Sequence, residues 1–151
     1  MKKFASLVVA GAAVALVVVA FAPAAAVDTY KVNATLKNNT EVPRAKGALL
    51  AKGSFSGQYV EKKNGSATLT WTLTFKHLTG TATAAHIHMG KVGVAGPVIV
   101  PLCGPCKNGM KGTAKISKSV IAALEGGKAY VNVHTPKNAA GEIRGQVKVS
   151  G

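Results

Sequence analysis

Three of the four histidines of this chain lie in two short segments that alternate polar and apolar residues. His86 and His88 are two positions apart in segment 85–90, and His134 stands in segment 130–135. Residues i and i+2 of a β-strand share a face and lie about 6.5–7 Å apart. Two such imidazoles, with a third from another strand, can bind one metal ion at about 2.0–2.1 Å each. The spacing therefore predicts a three-histidine metal site.

The same alternation indicates which residues surround these histidines. If Ile87, Val131, Val133 and Ile143 point into a core, the polar residues between them point away from it. Three strands then form one polar patch, whose members are His86, His88, Asn132, His134, Glu142 and Arg144. Asn132, Glu142 and Arg144 are expected in a second layer, in which Asn132 or Glu142 orients an imidazole ring. Continued alternation places His77 on the apolar side of its strand, so it is excluded from the patch.

The residue types of the patch favour particular metals and leave one alternative open. Neutral imidazole suits copper and zinc, and we expect copper rather than zinc, with no other cofactor. The alternative is that the histidines hold no metal. They would then be exposed strand residues that form a hydrogen-bonded cluster with Glu142 and Arg144.

The two cysteines offer a second candidate chemistry. The stretch from Cys103 to Lys107, Cys-Gly-Pro-Cys-Lys, matches the active-site motif of thioredoxin-like oxidoreductases. Those enzymes need the pair at the start of a helix, where the thiol pKa is lowered. The glycines at 109 and 112 do not favour a helix there, so the sequence predicts a Cys103–Cys106 disulfide that closes a short loop. Thiol-based redox catalysis remains an alternative.

The N-terminus predicts export. Lys2 and Lys3 precede an apolar run over 4–22 and the stretch Pro-Ala-Ala-Ala that ends at Ala26. This is the pattern of a signal peptide over 1–26 with cleavage after Ala26. The expected product is a single domain over 27–151, periplasmic or extracellular, with no membrane segment after cleavage.

The charge of the chain is strongly positive but dispersed. There are 19 basic and 5 acidic side chains, for a net charge of +14. Without Lys2 and Lys3, 17 basic and 5 acidic side chains remain, for a net charge of +12. A nucleic-acid-binding surface more often clusters its cations among exposed aromatic side chains. We therefore expect no specific nucleic-acid partner, and a basic surface with some affinity for anionic components of the cell envelope.

Turn signals and alternation predict seven or eight short strands and one short helix. The clearest strand covers 67–75, where Ala, Leu, Trp, Leu and Phe alternate with four threonines. The helix is predicted over 117–125, because Ser117 or Ser119 can cap its start and two glycines follow its end. Such a pattern is typical of an antiparallel β-sandwich or barrel.

Several short motifs resemble those of the CHRD domain, a module first defined in chordin. The motifs fall at 35–43, 78–80, 85–90, 96–98, 130–135 and 141–147. The resemblance implies a β fold and an exported, single-domain bacterial protein that acts as a binding module. A weaker likeness links His86, His88, His134 and Arg144 to the copper site of copper-zinc superoxide dismutases. The bridging histidine and the zinc ligands of those enzymes have no counterpart here, so a dismutase-like redox enzyme is the alternative rather than the expectation.

Overall fold

A computed structural model describes residues 28–151, in which nine β-strands and one α-helix form. The predicted signal peptide over 1–26 lies outside the described residues. A single 3-10 turn, Asn38–Thr40, follows the first strand. The elements are β1 Thr29–Lys37, β2 Lys52–Glu61, β3 Ala67–Lys76, β4 Ala84–Met89, β5 Val98–Cys103, β6 Met110–Ile116, α1 Lys118–Glu125, β7 Ala129–His134, β8 Ile143–Gln146 and β9 Lys148–Ser150.

The strands form one antiparallel sheet that curls into a nearly closed barrel. Their order is β5-β4-β7-β8-β1-β2-β3-β6, with β9 also paired to β1. The two end strands, β5 and β6, lie beside each other. The predicted mostly-β antiparallel fold with one short helix is confirmed. The strand number exceeds the prediction because the expected strand 142–149 divides at Val147, where β8 pairs with β7 and β9 pairs with β1.

The core follows the alternation of the sequence. On β3 the side chains of Ala67, Leu69, Trp71 and Leu73 are all buried. Burying a side chain of this size contributes roughly 1.5–3 kcal/mol to folding. The helix α1 closes one end of the barrel with its buried Val120, Ile121, Ala123 and Leu124. Its start is capped as predicted, since the hydroxyl oxygen of Ser117 accepts a hydrogen bond from the Val120 amide.

His77 departs from the prediction. Strand β3 ends at Lys76, and His77 adopts a left-handed backbone conformation with φ of 59°. A positive φ breaks the alternation of a strand, because the chain no longer follows the pleat. The side chain of His77 is therefore exposed, and the prediction that it lies on the apolar side is wrong.

The two cysteines form a disulfide at the end of β5. Cys103 is the last residue of that strand, and its Sγ is bonded to Sγ of Cys106. The segment after Cys106 is a turn that leads into β6, which begins at Met110 rather than at the predicted Thr113. Neither cysteine lies at a helix N-terminus. Within residues 28–151, no helix has the length and apolar character that crossing a bilayer requires.

Candidate metal centre

Two neighbouring strands bring His86, His88 and His134 together; we call these three side chains the histidine centre. In the β4–β7 ladder, Ala84 pairs with His134 and His86 pairs with Asn132. His134 is thus a diagonal neighbour of His86 on the outer side of the barrel. The ring centroids of His86 and His134 lie 4.9 Å apart, and those of His86 and His88 lie 5.6 Å apart. One nitrogen from each of the three rings falls within 4.8 Å of the others.

Backbone carbonyls set the tautomers of two of these rings. Nδ1 of His88 lies 2.8 Å from the Gly96 oxygen, and Nδ1 of His134 lies 2.9 Å from the Ala139 oxygen. A carbonyl oxygen only accepts hydrogen bonds, so each Nδ1 carries a proton and each neutral ring keeps a lone pair on Nε2. Nε2 of His134 then accepts a hydrogen bond from Nδ1 of His86 at 3.0 Å. Nε2 of His88 is buried and has no hydrogen-bond partner in the described part of the chain.

The surroundings of His86 and His134 favour the neutral form of these two rings. Burial lowers the pKa of His86 below 6.5, and the nearby His134 and His88 lower it further. Burial also lowers the pKa of His134, although its hydrogen bond to Ala139 opposes that shift. Neutral imidazole is the form that binds metal ions. At neutral pH the lowered pKa values of His86 and His134 therefore favour the form of these two rings that coordinates a metal ion.

An aromatic stack supports His88 from the side. The His88 and Tyr130 rings are nearly parallel, 11° apart, with centroids separated by 5.0 Å. The Arg144 guanidinium lies over the Tyr130 ring, 3.3 Å from its centroid. Arg144 Nη2 also donates to the carbonyl oxygens of Lys91 and Val94, at 3.0 and 2.8 Å. Cation–π contact and hydrogen bonds thus join β8, Tyr130 and His88 into one packed unit.

The segment 90–97, which we call the cover loop, lies over this unit. Its Gly96 accepts the His88 hydrogen bond through its carbonyl and donates its amide to the Tyr130 hydroxyl at 3.2 Å. A side chain at Gly96 would overlap the carbonyl oxygen of Met89, so glycine is needed for this approach. Gln146 holds the start of the loop by donating to the Gly90 oxygen at 2.8 Å.

The second layer of the centre differs from the prediction. Asn132, Glu142 and Arg144 are buried, with exposed fractions of 2%, 0% and 2%. They do not lie in a solvated patch, because the cover loop and the turn 135–141 lie over them. The hydrogen bonds that orient His88 and His134 come from backbone carbonyls instead of from these side chains. Asn132 donates to the Ala140 oxygen at 3.4 Å, and Arg144 reaches His88 only through Tyr130.

Comparison with known proteins identifies the family. A family model described as the CHRD domain matches residues 32–147. The chain belongs to the CHRD domain family. The match spans all three histidines of the centre and confirms the resemblance seen in the sequence motifs. Comparison with curated proteins and with solved structures finds no match.

Glu142 of this CHRD domain holds the turn that orients His134. Its carboxylate accepts hydrogen bonds from the Thr79 amide and hydroxyl, the Thr135 hydroxyl and the Asn138 side-chain amide. Burial alone would raise the pKa of Glu142, but these hydrogen bonds outweigh it and hold the pKa below its ordinary value. Glu142 thus fixes the 135–141 turn, which carries the carbonyl of Ala139.

A second carboxyl group is buried in the CHRD domain, beside the end of the same turn. Glu41 is 5% exposed, and its Oε1 has no hydrogen-bond partner among residues 28–151. A side chain at Gly141, where φ is 134°, would overlap the Glu41 carboxylate. Burial raises the pKa of Glu41 to about 7, although the positive charge of Arg144 opposes the shift. Glu41 is consequently protonated in the folded protein at mildly acidic pH.

Replacing Glu41 by glutamine is expected to change the pH dependence of stability. The pKa of this carboxyl rises from 4.5 to about 7 on folding, so the native state binds the extra proton. The contribution of this carboxyl to the free energy of unfolding is therefore fully present below pH 4.5 and is lost as the pH rises through 7. The free energy of unfolding of Glu41→Gln is expected to exceed that of the wild type by about 2–3 kcal/mol at pH 8 and by almost nothing near pH 4.

Urea unfolding of both proteins at the two pH values measures this difference. The control is Glu61→Gln, which removes an exposed carboxylate and is expected to show no such gain. A Glu41→Gln protein that is equally destabilised at both pH values contradicts the prediction, since Glu41 would then stabilise the fold as a hydrogen-bonding group.

Proposed function

We propose that this CHRD domain is an exported binding protein that holds one copper ion through His86, His88 and His134. The observation that carries the proposal is that three imidazole rings lie close enough together for one nitrogen of each to approach a common ion. Their nitrogens lie within 4.8 Å of one another, and Nε2 of His88 is buried without a partner. A buried polar atom without a hydrogen-bond partner costs free energy, and a ligand bound to this atom would remove that cost.

The chemistry of the donors favours copper. All three are imidazole nitrogens, which suit copper and zinc, whereas calcium and magnesium prefer oxygen donors. Glu142 is fully buried and its carboxylate is engaged by Thr79, Thr135 and Asn138. Affinity for nitrogen donor sets is highest for Cu²⁺ among the common divalent metals. Copper is therefore proposed over zinc.

The hydrogen bonds around the three rings explain how these residues would hold an ion. Carbonyls of Gly96 and Ala139 fix His88 and His134 with Nε2 deprotonated. Nδ1 of His86 donates its proton to Nε2 of His134 across 3.0 Å. A neutral His86 carries a single ring proton, so binding through its Nδ1 would require that proton to move to Nε2 of the same ring, while the two carbonyls keep the other two rings oriented. The change that binding would need at His86 is thus a switch of tautomer.

Export is part of the proposal and rests on two features of the sequence. The leader over 1–26 has the charge, apolar run and small-residue end of a signal peptide. A Cys103–Cys106 disulfide is compatible with an oxidising compartment outside the cytoplasm. A periplasmic or extracellular location would bring the histidine centre into contact with copper that enters from the environment.

Binding is favoured over redox catalysis. In a dismutase-like site Arg144 would attract an anionic substrate, but here it is 2% exposed and bonded to two carbonyls of the cover loop. The cysteine pair stands at the end of a strand, without the helix that would lower a thiol pKa. These two observations favour binding over redox catalysis at either site.

Titration of the protein with Cu²⁺ and Zn²⁺, followed by electron paramagnetic resonance for copper, tests the proposal. We expect one equivalent of Cu²⁺ to bind below about micromolar Kd, with nitrogen hyperfine splitting and a weaker Zn²⁺ affinity. The matched control is His77→Ala, which removes the one histidine outside the centre. It is expected to leave the Cu²⁺ affinity and the paramagnetic resonance signal unchanged. Weaker Cu²⁺ binding, or a signal that changes in His77→Ala, would overturn the proposal.

A further inference from the structure

One wall of the barrel carries exposed lysines on its outer surface. Strands β1, β2, β3, β6 and β9 make this wall, and seven outward-pointing lysines on them are exposed, of which all but Lys115 line the same group of grooves. We call this surface the lysine face; its lysines are Lys31, Lys37, Lys52, Lys76, Lys111 and Lys148. The face lies away from the β4–β7 ladder that holds the histidine centre.

The sheet register places like charges side by side. Lys37 pairs with Lys52, and Lys52 pairs with Lys76, so three ammonium groups stand in one row across three strands. Like charges directly opposite each other destabilise a sheet. A row of this kind lowers stability in the free protein, and a bound polyanion would relieve the repulsion.

No side-chain carboxylate lies beside the row of Lys37, Lys52 and Lys76. Of the five acidic residues, Glu41 and Glu142 are buried, and Glu125 accepts a hydrogen bond from the Tyr59 hydroxyl. The other two, Asp28 and Glu61, lie at the opposite ends of β1 and β2 from the lysine row. The positive potential of this row is therefore not opposed by acidic side chains.

Hydroxyl groups fill the positions between the lysines. The next cross-strand rows pair Thr35 with Ser54 and Thr74, and Asn33 with Ser56 and Thr72. Ser54 and Thr74 share a hydrogen bond of 2.7 Å across the strands. Short hydroxyls and amides at this density can donate to and accept from the hydroxyls of a sugar chain.

Shallow grooves run across the lysine face. Three shallow grooves of about 460, 440 and 460 Å³ lie on it. The second and third share Thr35, Lys37 and Ser54, and the first and third share Asn33 and Ser56. The grooves are thus one continuous depression that all six lysines line.

We propose that the lysine face binds an anionic polysaccharide, with the lysines on its carboxylates and the hydroxyls on its sugar rings. A nucleic acid fits this face less well, because single strands are bound by stacking their bases on aromatic side chains. None of the Phe, Tyr and Trp side chains within 28–151 is exposed, and Trp71 is 5% exposed. The cations are lysines, without the arginine forks that suit phosphate.

Binding of alginate, a polymer of uronic acids, tests the proposal by calorimetry at low salt, with neutral dextran and single-stranded DNA as comparison ligands. The protein is expressed from its complete sequence. The test variant is Lys37→Gln/Lys52→Gln/Lys76→Gln, and the matched control is Lys63→Gln/Lys118→Gln/Lys128→Gln, which removes the same charge from exposed positions elsewhere. We expect alginate affinity to fall at least about tenfold in the test variant and less than about twofold in the control.

A second variant distinguishes recognition of the sugar hydroxyls from attraction between opposite charges. Ser56→Ala/Thr72→Val keeps every lysine and is expected to weaken alginate binding about threefold or more, with DNA binding unchanged. Equal losses in the two lysine variants would overturn the proposal in favour of net charge alone. DNA binding as tight as alginate binding would overturn it in favour of a nucleic-acid surface. His86→Ala is expected to bind alginate normally, so the result does not depend on the copper proposal.

Discussion

Removing one ring from the histidine centre is expected to abolish tight copper binding. His134→Ala deletes Nε2, the atom 3.0 Å from His86 Nδ1, and leaves two imidazole donors. Loss of a supporting residue behind a metal ligand typically lowers affinity 10–100-fold, so loss of a ligand itself is expected to lower it by at least about 100-fold. Cu²⁺ titration with electron paramagnetic resonance would show fewer nitrogen couplings together with the weaker affinity.

His86→Ala and His88→Ala are expected to produce losses of the same size, because each ring supplies one nitrogen to the centre. The His134 ring is held by a backbone carbonyl at the surface of the strand, so its removal is not expected to unfold the barrel. Circular dichroism of each variant checks this point. A His134→Ala protein that folds normally and has a copper affinity within about threefold of the wild type would contradict the assignment of three histidine ligands.

Among the residues of the histidine centre and those packed around it, Glu142 is expected to be the one whose replacement by alanine destabilises the protein most. The substitution leaves the Thr79, Thr135 and Asn138 donors buried and without their common acceptor. Each unsatisfied buried group costs about 1–3 kcal/mol, so we expect a loss of about 3–5 kcal/mol in the free energy of unfolding. Guanidinium unfolding at pH 7 measures it, with Glu61→Ala as a control that removes an exposed carboxylate and changes stability little.

The pH dependence of this effect has a defined sign. The pKa of Glu142 is lowered on folding by its hydrogen bonds, so the native state binds this proton less readily than the unfolded chain. Its contribution to stability is present above the unfolded pKa and is lost as the pH falls through the lower folded value. The difference between wild type and variant is therefore expected to shrink in acid. A difference that stays constant from neutral pH into acid would contradict this role of Glu142.

The positions of the strand residues were predictable because alternation is a geometric property of a strand. On β4 and β7 the apolar set faces the core as expected, and this places His86, His88 and His134 on one outer face. The family motifs were recognisable for the same reason, since they lie mostly on strands that pair in the sheet. The histidine centre could thus be predicted as a group before its geometry was known.

The second layer could not be predicted in the same way. Alternation says that Arg144 points outward, but it does not say that a loop from between β4 and β5 lies over it. Gly96 and Ala139 act through carbonyl oxygens, which every residue has, so no residue type signals them. Glu142 finds two of its donors nearby at positions 135 and 138 and a third at position 79, and a contact between residues 63 positions apart is decided by tertiary packing. His77 fails for a local reason, since its positive φ carries no sequence signal in a residue other than glycine.

The use of main-chain oxygens to orient the rings has a consequence for how this centre tolerates change. A substitution at position 139 alters the side chain but keeps the carbonyl that holds His134. Insertion or deletion of a residue in the cover loop or in the 135–141 turn would instead shift a carbonyl by about 3.3–3.8 Å, out of hydrogen-bonding reach of its ring. Related chains can thus differ widely in loop composition and share the centre, provided that the loops keep their lengths. Loop length, more than loop composition, is the feature that the three histidines require of their surroundings.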